Sequence, residues 1–174
     1  MSLEKMASFF LSETPRLKTL MKIPPNGPVR VRIIDDYWTA IVPLRVLLSL
    51  WDNISASAVT QEAGQMPYLD LDCDIYLIDE ELDRLHGSQI VDELRNCGFA
   101  GIIACIGQCD KTPEGVKYHF KTKTLIGSDV GITHEFVAFM NMLIEEVLRD
   151  RMEEPAGDRR GTSPKQLKMF LPPR

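Results

Sequence analysis

No run in this 174-residue chain is apolar for long enough to cross a bilayer. The longest, TAIVPLRVLLSLW at 39 to 51, contains Arg45 and stops short of the ~18 to 20 residues a membrane helix needs. A core helix is expected there, and no membrane contact. Nothing near the N-terminus joins a basic segment to an apolar stretch and a small-residue cleavage site, so no secretory leader is expected either. Cysteine is scarce. Cys73, Cys97, Cys105 and Cys109 are the only four, and three lie in or beside apolar segments, which suits reduced thiols in a cytoplasmic protein. Cys105 and Cys109 lack a second Cys or His pair at the spacing of a tetrahedral zinc site. Basic residues are outnumbered, the formal charge being -5, so the chain as a whole exerts no pull on nucleic acid. The three histidines, His86, His119 and His134, have no spacing that suggests a triad or a metal site.

The residues that are present suffice for one compact core, with 44% of the chain hydrophobic. Three regions are expected: an N-terminal extension over 1–28, a domain over 29–150, and a charged tail or linker over 151–174. The extension carries a possible amphipathic helix interrupted at Pro15, then the breaker cluster PPNGP at 24 to 28. The alternation of VRVRIIDD predicts a first strand. A helix through Leu44, Leu47, Leu48 and Trp51 follows, with Pro43 in its first turn or at a kink. ISASAV at 54 to 59, CDIYLID at 73 to 79 and GIIACIG at 101 to 107 read as further strands, with a helix over 89 to 96 between the last two. TKTLIG at 122 to 127 is the expected fifth strand. Phe136, Phe139, Met140, Leu143 and Val147 share one face of a last helix, with Thr133 as a candidate N-cap. The apolar strands look buried on both faces.

Strands alternating with helices through short loops imply right-handed crossovers and a parallel sheet covered on both sides. Five such units fit an α/β, flavodoxin-like sandwich with strand order 2-1-3-4-5. In a doubly wound sheet, ligands collect beyond the carboxyl ends of the strands where the order reverses. Asp35 and Asp36 end the first strand and Asp79 ends the third, so this order would bring three carboxylates together. Adjacent carboxylates repel, and an all-oxygen set answers to a hard cation such as Mg2+. Asp70, Asp72 and Asp74 form a D-x-D-x-D pattern, but they precede a strand and read as loop.

Residues 29 to 150 resemble a response-regulator receiver domain of two-component signalling. The resemblance rests on the strand-ending DD pair, on LID 43 residues after Asp36, on Gly87 eight residues beyond Asp79, and on LRNCGFAGIIA, which is similar to the passage from third helix to fourth strand in receivers. It implies that Asp79 accepts a phosphoryl group, that Asp35, Asp36 and Asp79 with the backbone carbonyl of Glu81 hold magnesium, and that the partner is a sensor histidine kinase or a phosphotransfer protein. The last helices would be a face for homodimers.

The chain also departs from that pattern. A receiver places Thr or Ser near the end of the fourth strand, where Ile106 stands here, next to Gly107 and Gln108. It places Lys at the end of the fifth strand; with that strand at TKTLIG, Ser128 or Asp129 stands there, and the aromatic position falls on Leu125 or Ile126. Lys121 and Lys123 come several residues early and serve only if the fifth strand lies elsewhere. A phosphorylation-impaired receiver is therefore expected, with no enzymatic turnover beyond self-phosphorylation from a phosphodonor. The competing readings are a magnesium-dependent phosphohydrolase using Asp79 or Asp72 as nucleophile, and an adaptor acting through its tail, where QLKMFLPP resembles peptides that dock on the bacterial sliding clamp.

Overall fold

The computed structural model describes residues 2–21, 27–60, 64–107, 114–122 and 126–153. Its elements are α1 (Leu3–Leu20), β1 (Val29–Asp35), α2 (Trp38–Leu48), β2 (Ile54–Thr60), β3 (Ile75–Asp79), β4 (Glu81–Leu82), β5 (Leu85–His86), α3 (Gly87–Asn96), β6 (Ile102–Ile106), β7 (Tyr118–Phe120) and α4 (Val130–Glu153). Five strands form a parallel sheet in the order β2-β1-β3-β6-β7, while β4 and β5 form a two-stranded hairpin. This is the expected 2-1-3-4-5 arrangement. No helix among the described residues is long and apolar enough to cross a membrane.

Strand alternation sends side chains to two separate cores. Val29, Val31 and Ile33 of β1, with Ile75 and Leu77 of β3, pack under α2 and α4, whereas Ile34, Tyr76 and Ile78 pack under α3. The strands β3 and β6 are buried along their whole length. The strands β1 and β2 are not: Arg30 is exposed, Arg32 half-buried, and every β2 residue is at least partly open. Burial on both faces therefore holds only for the two strands in the middle of the sheet.

The N-terminal helix runs unbroken through Pro15 from Leu3 to Leu20, contrary to the expected interruption. Proline inside a helix costs about 3 kcal/mol, but Met6, Phe10, Leu17 and Met21 lie in the larger core, and packing of that face offsets the loss. Pro43 likewise sits inside α2, beyond its first turn, with its ring in the core. Asn141 of α4 donates to the carbonyl of Leu20 at 2.7 Å, which fixes the C-terminal end of α1.

Two further expectations are corrected. The fifth strand of the sheet is Tyr118–Phe120, earlier than TKTLIG, and residues 123–125 of that segment lie outside the described residues. Three residues suffice because Ala104, Cys105 and Ile106 pair with them in register and the ring of Phe120 packs edge-on against Phe136 of α4 at 5.2 Å. The last helix begins at Val130, and its start is capped by Asp129, whose Oδ1 accepts the Ile132 N–H at 2.9 Å. Thr133 is inside the helix, where its hydroxyl donates to the Asp129 carbonyl at 2.6 Å and accepts the Gly127 N–H at 2.9 Å. Residues 64–74 contain no helix. Within them Asp70 hydrogen-bonds the Asp72 N–H and Asp74 pairs with Arg30 and Arg151, so the D-x-D-x-D acids serve as loop and anchor residues at the amino end of β3.

Candidate metal and phosphoryl site

The chain brings three carboxylates together at the carboxyl end of the sheet. One oxygen each from Asp35, Asp36 and Asp79 lies within 4.8 Å of the other two. Their convergence follows from the ladder: β1 and β3 are neighbours, Ile34 pairs with Ile78, and the acids come next on each strand. Asp35 and Asp79 are buried, Asp36 partly so.

Backbone donors orient the acids. Asp35 Oδ1 accepts the Tyr37 N–H at 2.8 Å. Asp36 Oδ2 accepts the Asp83 N–H at 3.0 Å, which links it to the turn of the β4–β5 hairpin. That turn takes Arg84 to a positive φ of 61°, and the pairs Glu81 with His86 and Leu82 with Leu85 hold it. Asp36 Oδ1 is buried with no hydrogen-bond partner. A buried carboxylate oxygen left without a donor is costly in an acidic cluster. A cation among the three carboxylates removes that cost, so the residues fit a hard metal ion.

Gly87 explains its own spacing. A Cβ there would lie 2.5 Å from the Asp79 carbonyl oxygen and 2.9 Å from Glu80 Cα. Helix α3 thus starts against the backbone that presents Asp79, and the Gly87 N–H donates to the Glu80 carbonyl at 2.9 Å. Glu80 points to the other side of the sheet, where Cys105 Sγ lies 3.8 Å from its Oε2 and burial pushes its carboxyl above the ordinary range.

Ile106 is directly across the ladder from Asp79 and fully buried, so the place next to the central acid on β6 is apolar. Ile106 in turn pairs with Phe120. Lys121 is the next residue, about 10 Å of sheet away from Asp79. Ser128 and Asp129 are not at the end of the fifth strand; Ser128 lies in the turn before α4 and Asp129 caps that helix. Sequence reading misplaced the fifth strand because KYHFK is a short polar-aromatic stretch without the apolar run of the other strands. The flanking lysines and alternating Tyr118 and Phe120 were the available signal. Of the other segments singled out, Gln108, Lys123, Leu125, Cys109 and the QLKMF tail lie outside the described residues. Ile126 is buried in the turn before α4.

No protein-family model matches the sequence, and no curated protein matches it. Solved structures do. A response-regulator receiver domain protein (CheY-like) from Methanospirillum hungatei JF-1 superposes with a TM-score of 0.54 at 11% identity, over 71% of this chain and 99% of that one. The response-regulator domain of Thermotoga maritima CheB gives 0.52 at 12% identity, over 70% and 97%. The signal receiver domain of a LuxO repressor protein from Vibrio parahaemolyticus gives 0.51 at 10% identity, over 74% and 98%. The chain has the receiver-domain fold. Those receiver structures are matched almost whole, while over a quarter of this chain lies outside each match.

Proposed function

We propose that the chain is a receiver-type signalling module in which Asp79 accepts a phosphoryl group in a magnesium-binding pocket made by Asp35, Asp36, Asp79 and the backbone carbonyl of Glu81. The observation that carries this reading is the meeting of three carboxylates with an orphaned Asp36 oxygen at the carboxyl end of a receiver-fold sheet. In the step itself, a carboxylate oxygen of Asp79 attacks phosphorus, an aspartyl phosphate forms, and the donor leaves with the bonding electron pair. A bound magnesium ion would supply positive charge between two anionic reactants.

The chain's own residues set how the phosphoryl group is read. With the fifth strand at Tyr118–Phe120, Lys121 takes the place where receivers carry their lysine, and Tyr118 takes the aromatic place on that strand. The ammonium of Lys121 is the cation that would meet the phosphoryl oxygens. Ile106 has no hydroxyl to donate, so that contact is missing, and loss of one such donor costs roughly two to three decades in rate. The site therefore phosphorylates slowly and reports weakly. Its partner class is a histidine kinase or a phosphotransfer protein. A phosphohydrolase using Asp72 is disfavoured, because Asp72 belongs to the loop before β3, at the opposite end of the sheet.

The test is incubation with acetyl phosphate and magnesium followed by intact mass. One phosphoryl adduct is expected, absent in Asp79→Asn and strongly slowed in Lys121→Ala but not in Asp129→Ala. Steady release of phosphate from many esters, without an adduct, would overturn the reading in favour of a hydrolase.

A further inference from the structure

The two edges of the sheet are protected very differently. The edge strand β7 is three residues long and flanked by Lys117 and Lys121; the Tyr118 hydroxyl donates to Glu146 of α4, and Lys117 pairs with the same carboxylate at 3.0 Å. Short length, lysines and a covering helix are the usual means by which proteins stop an edge from pairing. The opposite edge, β2, has α2 over one face but neither the short length nor the lysines. It is seven residues long, pairs residue for residue with β1 along its whole length, and has no further strand on its other side among the described residues. Its sequence, ISASAVT, contains no charge, no proline and no glycine. On the α3 side of the sheet no helix among the described residues covers the first half of β1 or its neighbours on β2, where Arg30, Arg32, Ser55 and Ser57 form a polar surface, Arg32 donating to Ser57 Oγ at 3.3 Å.

We infer that β2 is a homotypic interface, where a second copy of this chain adds its own β2 antiparallel across a two-fold axis through Ser57. The sequence is self-complementary in that register. Ile54 faces Thr60 of the other copy, Ser55 faces Val59, Ala56 faces Ala58, and Ser57 faces Ser57. Each pair keeps both residues on one face of the joined sheet, and no large side chain meets another. Either set of outward backbone groups gives about six to eight new hydrogen bonds. The chain carries a net charge of -5, so two copies repel at most surfaces, and an uncharged edge is where they can approach. An uncharged strand also gives a charged peptide nothing to pair with. The interface is independent of the chemistry at Asp79 and distinct from the last-helix face.

Sedimentation of the full chain is expected to show a species near twice 19.7 kDa at tens of micromolar. Ser57→Lys places two ammonium groups face to face on the axis, and the dissociation constant should rise at least about 30-fold. Ser57→Cys should form an interchain disulfide on mild oxidation, mapped by mass spectrometry to residue 57 of both copies. Hydrogen exchange on the unmodified chain guards against a Ser57→Lys variant that fails to fold: amides within 54–60 should slow as concentration rises. A chain that stays monomeric up to about 0.5 mM, or a dimer unmoved by Ser57→Lys with no 57–57 crosslink and no concentration effect on those amides, overturns the inference.

Discussion

One face of the central sheet is covered by α1, α2 and α4, the other by α3 and loop residues such as Leu69, Leu71 and Val116. The contrast is written into individual strands. Where helices lie on both sides, as over β3 and β6, every position is apolar or part of the site. Where only one side is covered, as over β2 and the first half of β1, alternate positions become Arg30, Arg32, Ser55 and Ser57. A strand's polarity pattern therefore reports how many layers cover it, and the first half of β1 was already declaring a one-sided environment.

The contrast can be broken most strongly from its thick side. Leu17 of α1 is fully buried in the larger core, and Leu17→Ala should lower stability by about 2–5 kcal/mol. Denaturant unfolding checks this, and a change well below 1 kcal/mol would show that α1 is an accessory to the core and not part of it. Gly87→Ala comes next. Its Cβ would collide with the Asp79 carbonyl, so a cost of about 1–3 kcal/mol is expected, together with weaker magnesium-induced stabilisation in thermal melts, because the same backbone positions the acid.

The acidic pocket gives a smaller effect of opposite sign. Asp36→Asn removes one of three mutually repelling carboxylates, so without metal the variant should be more stable by roughly 1 kcal/mol. Its melting temperature should respond less to magnesium than that of the unaltered chain. Smaller again is the tie between β7 and α4. The hydrogen bond from Tyr118, followed by the Lys117 contact, holds the Glu146 carboxyl below its ordinary value. Because the folded value is the lower one, this stabilisation is complete above the ordinary carboxylate range and is lost as pH falls through the folded value. Glu146→Gln should thus lower stability by under about 1 kcal/mol above pH 6 and converge on the unaltered chain in acid, which flattens the acid limb of the profile. The smallest effect is chemical. Burial, then the neighbouring Asp70 charge, push the Cys73 thiol up to about 12, so native Cys73 should resist alkylation at pH 8 and react only after unfolding.

Much of this arrangement was legible from the sequence because it rests on local periodicity. The run VRVRIID, the apolar GIIACIG and the 3.6-residue stripe of α4 each carry their own geometry, and the strand order follows from crossovers of one hand. The acids met as expected because strand ends are easy to read. The misplacements have a common cause: tertiary contacts overrode local signals. Pro15 breaks an isolated helix but not one anchored by Phe10 and Leu17. Three residues hold the β7 position because Phe120 packs on α4, which no window of sequence reveals. TKTLIG looked more strand-like than YHF by composition, and the residues expected at the end of the fifth strand moved with it.

The far end of α4 is moored at the pole of the sheet opposite the three carboxylates. Arg151 donates to Asp74 Oδ1 at 2.7 Å and to the Pro28 carbonyl at 3.3 Å, clamping the helix terminus to the base of β1 and β3. A 24-residue helix spans about 36 Å, long enough to reach that clamp from the cap at Asp129. One side chain thus ties three separate segments, the end of α4, the lead into β1 and the lead into β3, at a single point.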